Sequence, residues 1–206
     1  MVEAGDRIAV GVSGGKDSMT TLNALVRVKK IAQIDFDIIP IHIHPNTDKA
    51  SYEKIEKYCE SLGLKLQVAP TNLSDMLFGE NEVKNPCFLC GRIRRGILYR
   101  MMKEQNINKL ALGHHKDDII ETMLLSLIFE GRFYSFSPKT YLDRMDLTVI
   151  RPMMFVDEAD VIGFKNKYEL PVVTSRCPID GYTKRQYAKE LVKDLNHEHP
   201  GAKQRM

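Results

Sequence analysis

The chain has 206 residues, 43% of them hydrophobic and 28% charged, with 30 Lys+Arg against 27 Asp+Glu for a formal net charge of +3. This is ordinary globular composition, which excludes wholesale disorder, and so small a basic excess excludes a protein that coats nucleic acid with its whole surface. No stretch approaches the roughly 20 apolar residues of a membrane-spanning helix, and residues 1–7 carry neither a basic nor an apolar leader run, so a cytoplasmic protein away from the membrane is expected.

In chain order, residues 7–12 are a short β-rich run, followed by a glycine turn and a helical stretch over residues 17–30. Residues 36–44 read as a second strand, 49–62 as a helix stopped by Gly63, and 64–69 as a third strand. Residues 71–86 are polar and read as a loop ending at Asn85-Pro86. A helix from Cys87 to Gln105, a strand over 109–113 and a helix over 117–130 follow. Residues 132–146 read as an irregular, partly aromatic connection, 148–151 as a brief strand, and 157–168 and 182–196 as helices. Strand-then-helix alternation at this spacing predicts an α/β fold with a parallel sheet covered by helices on both faces. With no repeat, linker or low-complexity segment, one domain over residues 1–206 is expected.

Ser13-Gly-Gly-Lys-Asp-Ser18 lies between the first strand and the first helix. A parallel sheet puts such a turn at the carboxyl end of its strands, where glycines let N–H groups curl round an anion and a helix N-terminus faces it. The string is not a Walker A loop, because Val10 stands where the first glycine belongs and Asp17 follows Lys16. Its bland alternative is a glycine turn capped by Ser13 or Ser18. The string resembles the SGGxDS loop of the PP-loop ATP pyrophosphatases, which adenylate a substrate and release pyrophosphate. That resemblance implies that Ser13, Gly14, Gly15, Lys16 and Ser18 grip the pyrophosphate part of ATP, with Asp17 placed to help hold Mg²⁺.

Gly113-His-His-Lys-Asp-Asp118 closes the fourth strand and opens the next helix, which continues to Glu121-Thr122. Asp117 or Asp118 at that position caps a helix, and two imidazoles followed by two carboxylates also admit a zinc site. The stretch resembles the second nucleotide motif of the same family, GHxxDDxxET. By that resemblance Gly113 and His114 lie beside the nucleotide and Asp118 is an acidic catalytic or magnesium-binding residue. Ile150-Arg-Pro-Met153 resembles a further family segment, so Arg151 is either a phosphate ligand or a surface arginine before a proline turn.

Of the four cysteines, Cys87 and Cys90 form the only CxxC. On a helix starting near Cys87 the two thiols share a face, and Arg94 returns to it. Arg92, Arg94, Arg95 and Arg100 are expected to lower thiol pKa or to hold RNA phosphates, Arg92 and Arg100 being equally at home as a solvated face. Cys59 reads as an ordinary helical cysteine. The string from Cys87 to Tyr99, with Gly113–Asp118, resembles the tRNA 2-thiocytidine synthetase family, a branch of the PP-loop enzymes, and the resemblance spans nearly the whole chain. Members hold a 4Fe–4S cluster through three cysteines, and Cys87, Cys90 and Cys177 match those ligands. A Cys87/Cys177 pair passing a persulfide is the chemical competitor.

The resemblance implies ATP-dependent thiolation of a tRNA base, with cytidine 32 as the expected substrate, through an adenylated intermediate. ATP, Mg²⁺ and the cluster are the implied cofactors, Asp17, Arg94 and Asp118 the implied catalytic residues, and a cysteine desulfurase or sulfide the sulfur donor. Members often form homodimers. Two alternatives stand beside this: thiolation or desulfuration of another base or small molecule, and a zinc-containing nucleotide- or RNA-binding protein.

Overall fold

The computed structural model describes residues 1–45, 52–79, 83–173, 177, 181 and 183–206. Among them lie the strands β1 (Arg7–Gly11), β2 (Asp37–His44), β3 (Gln67–Pro70), β4 (Lys109–Ala111), β5 (Lys139–Leu142) and β6 (Leu147–Ile150). The helices are α1 (Lys16–Ala32), α2 (Glu53–Ser61), α3 (Leu73–Phe78), α4 (Pro86–Glu104), α5 (Lys116–Glu130), α6 (Glu158–Lys167), α7 (Lys184–Glu198) and α8 (Ala202–Arg205).

The sheet runs β3-β2-β1-β4-β6-β5. β1 is paired in parallel on both sides, with Ile8 opposite Ile38 of β2 and Lys109 of β4. Its side chains alternate between two apolar cores, as the two-residue period of a strand requires. Ile8 and Val10 join Met19, Leu22 and Leu25 of α1 and Ile55 of α2 on one face. Ala9 joins Leu73 and Leu77 of α3 and Leu98 and Met102 of α4 on the other. Helices on both faces of a mostly parallel sheet match the expected class. α5 and α7 pack on each other through Ile120, Leu124 and Val192.

Three local readings change. The edge strand β5 is antiparallel to β6, with Lys139 opposite Ile150 and Leu142 opposite Leu147. The chain reverses between them in a tight turn, closed by the Met145 N–H on the Leu142 carbonyl at 3.0 Å, and so short a connection allows only antiparallel pairing. Part of the expected loop over 71–86 is the helix α3, whose Leu73 and Leu77 lie one turn apart and are buried. The third strand starts at Gln67 and not at residue 64, because Leu64 belongs to the end of α2. There its N–H bonds the Cys59 carbonyl and the Gly63 N–H the Glu60 carbonyl, both at 2.9 Å, with Gly63 at φ +74°. The first residues of the helix expected over 49–62, and residue 182 of the one expected over 182–196, lie outside the described residues.

Strand order reverses between β1 and β4, since β2 lies to one side of β1 and β4 to the other. That topology opens a crevice beyond the carboxyl ends of β1 and β4, where open α/β sheets bind ligands.

Candidate active site

The phosphate loop leaves the sheet after the Val12 N–H bonds the Ile41 carbonyl at 2.8 Å. Its two serines brace it: the Ser13 N–H donates to Ser18 Oγ at 3.1 Å, and Ser18 Oγ donates to the Gly15 carbonyl at 3.0 Å. Both serines brace the turn, though neither side chain caps the helix that follows. Gly14 has φ +87°, and a Cβ there would meet Ile55 Cδ1 at 2.9 Å and Val173 Cβ at 3.2 Å, so only glycine fits. Gly15 is the N-cap of α1 and supplies no capping side chain. The helix thus opens toward the crevice with first-turn N–H groups that no cap side chain occupies, an arrangement suited to an anion.

The turn after β4 closes onto this loop. A Cβ on Gly113 would lie 2.7 Å from the Asp17 carbonyl carbon and 2.9 Å from the Ser18 nitrogen, so the two turns touch backbone to backbone. Buried His115 places Nε2 3.6 Å from Asp17 Oδ1 and Nδ1 3.6 Å from Asp118 Oδ2. Asp118 caps α5 by accepting the His115 N–H at 2.9 Å, while its other oxygen faces Arg185 of α7 at 3.5 Å. Asp117 instead ties the fold together, accepting the Glu158 N–H at 2.8 Å and pairing with Lys203. The His114 ring lies 4.8 Å from the Phe136 ring, and burial pushes its pKa down to about 4, so it is neutral at physiological pH. Among the described residues no trio of His, Cys, Asp or Glu is grouped so as to hold a metal ion.

Lys16 is held between two carboxylates, Asp17 Oδ1 at 3.0 Å and Glu158 Oε1 at 2.9 Å. Burial works against its charge, but Glu158 and Asp17 outweigh burial and hold the ammonium above its usual pKa. Glu158 also binds Lys189 at 2.7 Å; burial opposes its ionisation, yet Lys189 and Lys16 draw its carboxyl down to about 2. Glu121, one turn beyond Asp118, is pushed up to about 7 by burial, with Arg185 Nε at 3.5 Å partly offsetting it. Arg185 also donates to Thr122 Oγ1 at 3.0 Å, so one guanidinium gathers the Asp118, Glu121 and Thr122 side chains. Arg151 donates to the Ser137 carbonyl at 2.7 Å and to Thr140 Oγ1 at 3.2 Å, holding the strand β5 and its approach against β6.

Sequence reasoning passed over His115, Glu158, Arg185, Lys189 and Lys203 as site residues. Glu121 and Thr122 stood inside the quoted motif, and their place one turn after Asp118 was the available signal. For Glu158 and the residues of α7 and α8, no local signal existed.

Cys87 and Cys90 lie in the first turns of α4, which opens with Pro86 behind Asn85. Cys87 and Cys177 are exposed, and Cys90 is half-buried at the edge of the second core. Burial raises the Cys87 thiol pKa, and Cys177 and then Cys90 raise it further, which brings the three thiols within electrostatic reach of one another. The arginines expected to lower it do not: Arg92, Arg95 and Arg100 are exposed, and only Arg94 is half-buried. The Arg94 charge reaches His42, whose Nδ1 lies 2.6 Å from the Val12 carbonyl just before the phosphate loop. Cys59 is a core residue of α2, its thiol pushed up to about 12 by burial. The residues flanking Cys177 lie outside the described residues. No helix among the described residues is long and apolar enough to cross a membrane.

A family model described as the PP-loop domain matches residues 3–185. A tRNA-cytidine(32) 2-sulfurtransferase of Geobacter metallireducens is 36% identical over 209 residues, covering 98% of this chain and 80% of that protein. One from Pelobacter propionicus is 38% identical over 97% of this chain and 76% of its own length. Among solved structures, the U34-tRNA thiolase NcsA of Methanococcus maripaludis with its 4Fe–4S cluster superposes with TM-score 0.76 at 26% identity, covering 98% of this chain and 69% of that one.

Proposed function

The chain belongs to the PP-loop domain family and, within it, to the tRNA-cytidine(32) 2-sulfurtransferases, and from that membership we propose that it makes 2-thiocytidine at position 32 of a tRNA through an adenylated base. It is a tRNA-thiolating PP-loop enzyme. Cytidine is preferred to uridine as the base because the cytidine-named relatives are 36% and 38% identical, against 26% for the U34 thiolase.

The carbonyl oxygen on carbon 2 attacks the α-phosphorus of ATP, and pyrophosphate departs. A sulfur nucleophile at the sulfide level adds at carbon 2, and AMP leaves with the former carbonyl oxygen. No net oxidation occurs. The gain is that a poor leaving group, an amide-like oxygen, becomes part of a good one.

In this reading Gly14, Gly15 and the first turn of α1 cradle the leaving pyrophosphate, and Lys16 adds positive charge from its seat between Asp17 and Glu158. Asp17 and Asp118 flank the crevice on opposite turns, with oxygen donors that suit Mg²⁺. Neutral His114 lines the crevice beside Phe136, so it meets a base as a hydrogen-bonding ring and not as a cation. Arg94 faces the same end of the sheet through His42 and offsets phosphate charge. Arg151 is a weaker candidate for that work, since protein oxygens already hold it.

Cys87, Cys90 and Cys177 suit a 4Fe–4S cluster, because thiolates are its usual ligands and both other thiols lie within electrostatic reach of Cys87. Such a cluster, when bound, supplies an iron with no protein ligand at which a sulfur atom is carried. The donor would be sulfide or a cysteine desulfurase.

The observation that carries the reading is that Cys177, from a distant part of the chain, lies within electrostatic reach of Cys87, in a chain that also builds the phosphate loop. The test is iron and acid-labile sulfide on anaerobically purified protein, followed by nucleoside analysis of tRNA incubated with ATP, Mg²⁺ and sulfide. Iron and sulfide near four per chain, their loss in Cys177→Ala with ATP binding retained, and 2-thiocytidine with AMP as products are expected. Equal iron in Cys177→Ala and unaltered protein would sink the ligand assignment.

A further inference from the structure

α5 outruns the core. Beyond Leu124 its side chains Leu127, Ile128 and Phe129 are exposed, and after Gly131 the chain carries Arg132, Phe133 and Tyr134 across the surface. Phe133 is 81% exposed, and Tyr134 and Tyr187 of α7 are more than half exposed. Neither the phosphate loop nor the thiols use these rings.

Cations are interleaved with them. Lys184 Nζ sits 4.2 Å from the Phe129 ring centroid, and Phe129 meets Tyr187 edge-on at 6.4 Å. Tyr134 acts electrostatically on both Arg132 and Arg151. The Arg151 guanidinium is 4.8 Å from the Phe136 ring, which is in turn 4.8 Å from His114. Rings and positive charges therefore lie together on the open surface around Phe129, and a second set, Arg151, Phe136 and His114, reaches the crevice beside Asp118.

Two occupants suit exposed rings: a second copy of the chain, or unpaired nucleotides. Cores of protein–protein interfaces are depleted of lysine, whereas here Lys184 caps a ring face. Unpaired RNA uses both features, stacking its bases on aromatic faces while its phosphates pair with the cations between them. The inner set, Arg151, Phe136 and His114, also lies where a base must be delivered, which a contact between copies does not require.

We propose that Phe129, Phe133, Tyr134 and Tyr187, with Lys184 and Arg132, form the stacking surface for the unpaired nucleotides that flank the target base of an RNA loop. Arg132 exchanges its surface partner Glu130 for a phosphate on binding. The inference rests on the thiolation reading, which supplies the RNA.

The test is titration of a labelled tRNA transcript, at fixed salt, with unaltered protein and with the double variant Phe133→Ala/Tyr134→Ala. Loss of two stacking platforms raises Kd at least about tenfold, while affinity for ATP is unchanged. A second pair, Phe133→Leu/Tyr134→Leu, keeps the apolar area but not the ring faces and is expected to weaken binding as well. Lys184→Ala should lower the slope of log K against log salt by about one phosphate contact. Unchanged Kd in both double variants overturns the inference, and a dimer that becomes monomeric in them, with tRNA affinity intact, reassigns the surface to a second copy. If the unaltered protein binds no tRNA, the thiolation reading itself fails; if it binds tRNA and both double variants bind as tightly, this inference alone fails.

Discussion

Gly113→Ala is the sharpest test of the contact between the two nucleotide turns. The added methyl would stand 2.7 Å from the Asp17 carbonyl carbon, 2.8 Å from its oxygen and 2.9 Å from the Ser18 nitrogen. These are backbone atoms at the start of α1, so no flexible side chain can swing aside. Carbon contacts settle at about 3.5–4.0 Å, so the turns must part by roughly 1 Å. Overpacking of that kind costs about 1–3 kcal/mol of stability, and a misplacement near 1 Å in a catalytic frame costs about 10²-fold in rate. AMP formation from ATP and tRNA, with thermal unfolding alongside, reads both quantities. The expected outcome is a fall of about 10²-fold in kcat/KM for ATP in protein that still folds. Gly163→Ala is the control: it lies in α6 with nothing within 4 Å, and alanine there should stabilise by about 0.5–1 kcal/mol and leave AMP formation unchanged. Wild-type kinetics and melting for Gly113→Ala would refute the claimed closeness of the turns.

Two pH predictions follow from the carboxylates that the turns and helices hold. Glu158 is drawn from the ordinary 4.5 to about 2, so its contribution is present above pH 4.5 and is lost as pH falls through 2. Acid unfolding should cost the unaltered protein on the order of 3 kcal/mol more over that window than Glu158→Gln, and parallel stability curves would refute the pairing with Lys16 and Lys189. Glu121 has the opposite sign: its carboxyl is raised from 4.5 to about 7, so ionisation penalises the fold increasingly as pH rises from 4.5 through 7. Glu121→Gln should match the unaltered protein below pH 4.5 and melt higher at pH 8, and a difference independent of pH would exclude burial as the cause.

Much of the site was open to local reading, because the pieces are local. A glycine loop between a strand and a helix, a CxxC at a helix start and an acidic turn after a strand each show in a handful of consecutive residues. Most helices were readable for the same reason, since apolar periodicity is a short-range signal. α3 escaped because only Leu73 and Leu77 mark its buried side, and β5 because a short edge strand half open to water shows little alternation. Asp118 caps α5 with one oxygen and faces Arg185 with the other, whereas the sequence offered cap and site carboxylate only as alternatives.

What the sequence determined by itself was the set of chemical parts and the backbone conformations they need: glycine at φ +87° in Gly14, a helix opening with no cap side chain, thiols one turn apart. Only the tertiary structure decided which charge answers which. Lys16 is neutralised by Glu158 from the start of α6, Asp118 is steadied by Arg185 of α7, and Asp117 is taken up by Lys203 of α8. Electrostatic partners are set by distance in space, and residues separated by most of the chain become neighbours only when β1 and β4 pair at the switch in strand order. That Cys177 comes within electrostatic reach of Cys87 has the same origin, because no local pattern states where a lone cysteine returns.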